Sequence, residues 1–156
     1  ASPQLPSLAK KWRVRYVEAA IDHLDEHYRI DRSRVHLTGV SAGGSTGWDV
    51  VKQRPDLFAS FVPLSSWASA RGVQHMARVP VWAFQGRIDP IAPPFVVQGA
   101  LRAHRACGGW TRLTLLTRRV HWLSPDVYGR PDLWTWWAAQ RRRCPPKTGT
   151  PLPQPP

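Results

Sequence analysis

The segment that decides the fold reads Val35-His36-Leu37-Thr38-Gly39-Val40-Ser41-Ala42-Gly43-Gly44. Its first six residues predict a short β-strand, and its Gly39-x-Ser41-x-Gly43 pattern is typical of a tight turn that opens a helix. The serine in such a turn is held in a strained position that exposes its hydroxyl, and small residues two positions away let the strand and the helix approach. The N–H of Ala42 would lie at the helix amino terminus, where it could stabilise an oxyanion. The segment therefore predicts a nucleophilic serine at a strand end.

Apolar stretches elsewhere in the chain predict three more strands, and periodic stretches between them predict helices. The strands are expected at 35–40, 58–64, 79–86 and 111–117, and the helices at about 12–28, 45–53, 93–107 and 131–143. Strands that alternate with helices form a parallel sheet. The predicted fold class is α/β, a parallel αβα sandwich of at least four strands.

Composition divides the chain into three parts. We expect an N-terminal extension at 1–11, a catalytic portion at 12–143 and a disordered tail, rich in Pro, at 144–156. The first residues lack the charged and apolar regions of a signal peptide, and no run of 18 apolar residues predicts a membrane span. The sequence leaves the cellular compartment open.

A formal net charge of +12 is the strongest compositional feature. Such a charge fits an anionic partner, for example nucleic acid or an acidic membrane surface. The arginines are nevertheless spread from Arg13 to Arg143, with one run at 141–143, and no nucleic-acid-binding signature accompanies them. We therefore predict dispersed basic residues, and no nucleic acid as the main partner.

The sequence predicts neither a metal nor a cofactor. Cys107 and Cys144 lack metal-ligand spacing, and they either bridge or remain thiols. Gly39 and Gly44 have the spacing of a phosphate-binding loop, but Ser45 stands where that loop needs its lysine.

A nucleophilic serine needs a base, and the base needs an orienting carboxylate. Asp89 directly follows the third predicted strand, and His121 lies a few residues past the fourth. Active sites of parallel sheets gather at these carboxyl ends, and Ser41, Asp89, His121 is the chain order of α/β-hydrolases. The alternatives are that Asp89 caps a turn ahead of Pro93 and that His121 is a solvated loop residue. We predict that the three residues form a catalytic triad.

The chain resembles the C-terminal portion of bacterial α/β-hydrolases of the phospholipase/carboxylesterase and dienelactone-hydrolase-like kind, which are related to the catalytic domain of prolyl oligopeptidases. The resemblance covers about 12–143 and is carried by residues 31–44, Trp48, 55–59, 80–86, Asp89-Pro90, Tyr128 and 131–134. It implies that Ser41 is the nucleophile, Asp89 the acid and His121 the base of a serine hydrolase. Such an enzyme cleaves carboxylic esters through an acyl-enzyme.

The chain departs from those relatives in three ways. Ala42 stands where they usually carry Met, and Arg119-Val120 precede His121 where they usually carry Gly. The chain also begins at the helix before the nucleophile strand. The resemblance therefore implies a truncated α/β-hydrolase fold that lacks the N-terminal strands and the second oxyanion donor. The outer edge of the first strand would then be open to self-association.

Two tryptophans are candidate substrate-binding residues. Trp67 and Trp122 follow strand ends near the predicted site. They either line an acyl or aromatic pocket or cap the core. The expected partner is a small-molecule ester. Two other functions remain open, a serine peptidase of the prolyl-oligopeptidase type and a non-catalytic interaction module that keeps the triad residues.

Overall fold

The fold is built on one parallel four-stranded sheet. A computed structural model describes residues 7–142, and the side chains from residue 14 onward. The strands are β1 (His36–Val40), β2 (Ser60–Leu64), β3 (Val81–Gly86) and β4 (Thr111–Leu116). They lie side by side in chain order, with His36 opposite Ser60 in the first pair and Gly86 opposite Leu116 in the last. Because all four run the same way, their carboxyl ends meet at one edge.

Five α-helices accompany the sheet in the described part of the chain. They are α1 (Ser7–His27), α2 (Ala42–Gln53), α3 (Phe95–Ala106), α4 (Ser124–Tyr128) and α5 (Pro131–Ala139). α4 and α5 each carry a proline in the first turn, where its missing N–H costs no helical hydrogen bond. None of the described helices has the length and apolar character needed to cross a bilayer.

The two faces of the sheet bury separate apolar cores, because successive strand residues point to opposite sides. Phe61, Val81 and Ala83 face a core that includes residues of α1, α2 and α3. Their neighbours face a second core, which α4 and α5 cover: Val62, Leu64, Trp82 and Phe84. The predicted αβα sandwich is therefore confirmed.

The segment after α5 is hydrogen-bonded to residues that precede β1. Arg142 N donates to Ser33 O at 2.7 Å, and its guanidinium donates to Asp56 O at 2.8 Å. Arg141 is paired with Asp31 at 3.1 Å. Both arginines of the predicted basic run that the structure describes thus make intramolecular contacts.

Several predicted boundaries were wrong by a few residues. α1 begins at Ser7 rather than at about residue 12, and α2 begins at Ala42 rather than residue 45. α5 ends at Ala139 because Gln140 adopts an extended conformation. α4 was not predicted at all. The predicted tail at 144–156, with Cys144, lies outside the described residues, whereas Cys107 is an exposed free cysteine.

Candidate active site

Ser41 occupies the turn between β1 and α2 in a strained conformation. Its φ of 55° and ψ of −120° lie where a non-glycine residue is rarely found, and such strain is typical of functional positions. Its N–H donates to Leu64 O at 2.9 Å, so the neighbouring strand holds the turn in place. The predicted strand–turn–helix context is therefore present.

Two positions in this turn, Gly39 and Gly44, have no room for a side chain. A Cβ at Gly39 would lie 2.6 Å from the carbonyl carbon of Gly43, and one at Gly44 would lie 2.8 Å from Ser66 Cβ. A Cβ at Gly43 would meet nothing within 4 Å. The expectation that both glycines of the motif must be small is wrong for Gly43, because this residue faces an open groove of about 360 Å³. α1, β1 and α2 line the groove with Val17, Leu37, Ala42, Gly43, Thr46, Gly47 and Val50.

The structure brings Ser41, His121 and Asp89 together. Ser41 Oγ lies 2.7 Å from His121 Nε2, and His121 Nδ1 lies 2.8 Å from Asp89 Oδ2. The Asp89 side chain is fully buried and the His121 side chain is 17% exposed. This is the geometry required of a nucleophile, its base and the group that orients the base.

The carboxylate of Asp89 decides where the protons lie. Burial raises the pKa of Asp89, but hydrogen bonds from Ala92 N, His121 and Ile91 N outweigh it and hold the pKa below its ordinary value. An ionised carboxylate can only accept, so His121 Nδ1 carries the proton and donates it. In the neutral imidazole, His121 Nε2 is then the acceptor, and the Ser41 hydroxyl donates to it.

Asp89 also stabilises its own loop. Its Oδ1 accepts from Ile91 N at 2.8 Å and from Ala92 N at 3.0 Å, while Oδ2 faces His121. The sequence left two roles open for Asp89, a turn cap and a partner of His121. One carboxylate makes both sets of contacts, with one oxygen for each.

The loop that carries His121 is held by Ser65 and Gly86. Ser65 Oγ donates to His121 O at 2.6 Å, and Ser65 itself has a left-handed φ of 45°. A Cβ at Gly86 would overlap the backbone oxygens of Arg119 and Val120. The loop therefore packs directly on the β3 backbone.

Gln85 links two of the loops at this edge of the sheet. Its buried Oε1 accepts from Ser66 N at 2.9 Å, and its Nε2 donates to Ser66 O at 3.3 Å and to Ala92 O at 3.0 Å. The turn after β2 and the loop of Asp89 are thereby joined through one side chain.

Ala42 is the first residue of α2, directly after Ser41. The first N–H groups of a helix have no partner inside the helix, and they attract negative charge. Ala42 N–H is therefore in a suitable place for the predicted oxyanion role.

Trp67 and Trp122 lie exposed beside the site. Their exposed fractions are 53% and 67%, so neither ring caps the core. Trp67 is fixed at both ends, because its Nε1 donates to Ile91 O at 3.1 Å and its N donates to Ser45 Oγ at 3.0 Å. Exposure argues against the core-capping interpretation, and a role in substrate binding stays a prediction.

Sequence reasoning missed Ser65 and Gln85. Ser65 directly follows β2, at the same edge as the predicted triad, and this position was the available signal. Gln85 is the one amide in a strand whose six residues are all buried. A buried polar side chain in an apolar strand needs partners, which points to an organising role.

One known protein family matches the part of the chain that contains the Ser41 turn. The prolyl oligopeptidase family matches residues 5–85, a segment that includes Ser41 and ends before Asp89 and His121. The chain belongs to the prolyl oligopeptidase family. Its fold is that of α/β-hydrolase esterases: a thermostable esterase of known structure superposes with a TM-score of 0.74 at 25% identity, over 81% of this chain and 36% of the esterase.

Several relatives of this prolyl oligopeptidase family member, and other solved structures with the same fold, are also esterases or cutinases or share the α/β-hydrolase fold. Cutinase 2 of Thermobifida cellulosilytica is 34% identical over 87 residues, 52% of this chain and 32% of the cutinase. The bifunctional acetylxylan esterase/xylanase XynS20E of Neocallimastix patriciarum is 29% identical over 92 residues, 59% of this chain and 14% of that protein. Arabidopsis thaliana SOBER1 shares the fold, with a TM-score of 0.70 at 18% identity over 86% of this chain and 65% of the SOBER1 chain. The chain thus spans a third or less of these curated relatives.

Proposed function

We propose that this chain is a serine hydrolase that cleaves carboxylic esters, with Ser41 as nucleophile, His121 as base and Asp89 as the orienting acid. The observation that carries the proposal is the continuous pair of hydrogen bonds from Ser41 Oγ through His121 to Asp89, at 2.7 and 2.8 Å. The relatives named as esterases and cutinases support the ester as substrate class.

In the first half of the reaction, His121 Nε2 takes the hydroxyl proton as Ser41 Oγ forms a bond to the ester carbonyl carbon. Negative charge develops on the carbonyl oxygen, and Ala42 N–H donates to it. When the carbon–alkoxy bond breaks, the imidazolium gives its proton to the leaving alcohol. Asp89 stays ionised throughout and stabilises the imidazolium.

In the second half, water replaces the alcohol. His121 takes a proton from the water as its oxygen attacks the acyl carbon, and the bond to Ser41 Oγ then breaks. The proton returns to Ser41, and the carboxylic acid leaves.

The loops at this edge of the sheet also expose large apolar side chains. Besides Trp67 and Trp122, Ile88 is 61% exposed and Ile91 is 58% exposed, and these two flank Asp89. Apolar side chains concentrated around polar reactive groups are typical of a ligand site. We therefore propose that the acyl or alcohol part of the ester is apolar.

A fluorophosphonate probe tests the enzyme assignment directly. We expect covalent labelling of the chain at Ser41, together with turnover of an aryl ester, and loss of both in Ser41→Ala. Ser69→Ala serves as a control, because it removes an exposed serine hydroxyl that accepts from Arg71 N and leaves the nucleophile in place. A folded chain that is not labelled would favour the non-catalytic interaction module instead.

The family match also supports a second function, a serine peptidase of the prolyl-oligopeptidase type. The same triad would attack an amide carbonyl, and His121 would protonate the leaving amine. Rates on an aryl ester and on the anilide of the same acyl group separate the two functions. Comparable kcat/KM values on both substrates would favour the peptidase, and turnover of the ester alone would favour the esterase.

A further inference from the structure

Three potential metal ligands lie together on α1, outside the candidate active site. His23, Glu26 and His27 have i, i+3 and i+4 spacing, which places them on one face of a helix. Their ligand atoms all lie within 4.8 Å of one another, and all three side chains are exposed. Two imidazoles one helical turn apart can bind a single ion as a chelate.

The ring of His27 is already oriented as a metal ligand would be. Its Nδ1 lies 2.8 Å from His23 O, and a carbonyl oxygen can only accept, so Nδ1–H is the donor. This bond leaves the lone pair on Nε2 free. Metal-binding histidines typically donate their other ring N–H to a carbonyl or carboxylate in this way. The two rings face each other with centroids 4.2 Å apart.

The carboxylate of Glu26 has no basic partner within residues 14–142, and this distinguishes it from the other acidic residues. The chain has 10 acidic residues against 22 Lys and Arg. Eight are bonded to a basic side chain: Glu18, Asp22, Asp25, Asp31, Asp56, Asp89, Asp126 and Asp132. Asp49 has a partner as well. Glu26 instead lies beside two imidazoles.

We propose that His23, Glu26 and His27 form a binding site for a divalent transition metal, and that Zn²⁺ fits it. Zn²⁺ takes imidazole nitrogen and carboxylate oxygen at about 2.0–2.2 Å, which places tetrahedral ligand atoms roughly 3.3 Å apart. The ligand atoms of the three side chains now lie up to 4.8 Å apart. Because the side chains are exposed, they can rotate and shorten these separations to the distance that Zn²⁺ needs. Water completes the coordination. Two neighbouring carboxylates, Asp22 and Asp25, pair with Arg32 and neutralise a positive charge that would otherwise repel the metal.

Zinc titration of the tag-free chain at neutral pH tests the proposal. Isothermal calorimetry should show saturable binding of one Zn²⁺, and His23→Gln or His27→Gln should each weaken it at least ~10-fold, the least that loss of even an outer partner costs. Glu26→Gln should weaken binding as well. His75→Gln is the matched control, because His75 is also an exposed histidine, and it should leave the affinity unchanged.

A second variant separates this site from the triad. Zn²⁺ should bind His121→Ala as tightly as the unsubstituted chain, and it should raise the unfolding temperature of both but not of the His23→Gln/His27→Gln double variant. Circular dichroism without metal checks that the variants fold. Absence of saturable binding would overturn the proposal. So would binding that survives the double variant or is lost in His121→Ala.

Discussion

Replacement of Gln85 by Leu should destabilise the fold far more than its conservative size suggests. The substitution leaves three buried backbone groups without a partner: Ser66 N, Ser66 O and Ala92 O. Ser66 is 1% exposed and Ala92 is fully buried, so solvent does not replace the lost bonds. Each unsatisfied buried group costs ~1–3 kcal/mol, so the free energy of unfolding should fall by roughly 3 kcal/mol or more.

Guanidinium-induced unfolding followed by circular dichroism measures this change. We expect a lower midpoint with an unchanged m value, because a change in stability alone leaves the slope intact. Gln53→Leu is the matched control: it is the same substitution at an exposed residue of α2, and it should change the unfolding free energy by less than ~0.5 kcal/mol.

Activity gives a second measurement on the same protein. Gln85 contacts the loop that positions Asp89, so Gln85→Leu should lower kcat of ester hydrolysis more than it raises KM under conditions where the variant is folded. If the free energy of unfolding of Gln85→Leu lies within about 1 kcal/mol of that of the unsubstituted chain, the three hydrogen bonds do not each contribute ~1 kcal/mol or more. Unchanged kcat would show that Asp89 is positioned without Gln85.

Three further predictions concern the fold and its pH response. Gly86→Ala should displace the His121 loop and lower activity. Gly99→Ala is the control, and it should be neutral or stabilising because its Cβ meets nothing within 4 Å. Turnover of an aryl ester measures the activity of both variants, and thermal unfolding measures their stability. Burial lowers the pKa of His104 from 6.5, outweighing its bond to Met76 O, so the unfolded chain takes up this proton first as the pH falls. Stability should therefore decrease below about pH 6.5, and His104→Gln should reduce that decrease, as measured by denaturant unfolding across pH. The outer edge of β1 has no strand partner among the described residues, so we expect concentration-dependent self-association; a single monomeric species in sedimentation velocity at all concentrations would contradict this.

The sequence predicted the framework well because its signals are local. The elbow at Ser41 is a short pattern, and Asp89 and His121 each follow an apolar strand, so one rule about parallel sheets placed all three at the same edge. The structure brings these three side chains within hydrogen-bond distance. Their catalytic roles remain the proposal that labelling at Ser41 would test.

The parts that sequence reasoning missed depend on contacts between distant segments. Gly43-Gly44 have low helix propensity, which favoured a later start for α2, but the packing of Gly44 against Ser66 lets the helix begin at Ala42. α4 is only five residues long and has Pro125 in its first turn, too short for a periodic pattern. The bonds of Gln85 cross from β3 to two loops and leave no pattern in the chain.

The strands lie in the sheet in the order in which a ribosome makes them. Each new strand can pair with the one just completed, so the sheet can grow along a single edge during synthesis. Among the described residues, the apolar face that α4 and α5 cover is completed last, and an emerging chain presents Trp82 and Phe84 to solvent or to a chaperone until then. His121 follows Ser41 by 80 residues. On the proposed mechanism, a nascent chain carries its nucleophile long before its base, so it remains inert towards esters until most of the described fold has been made.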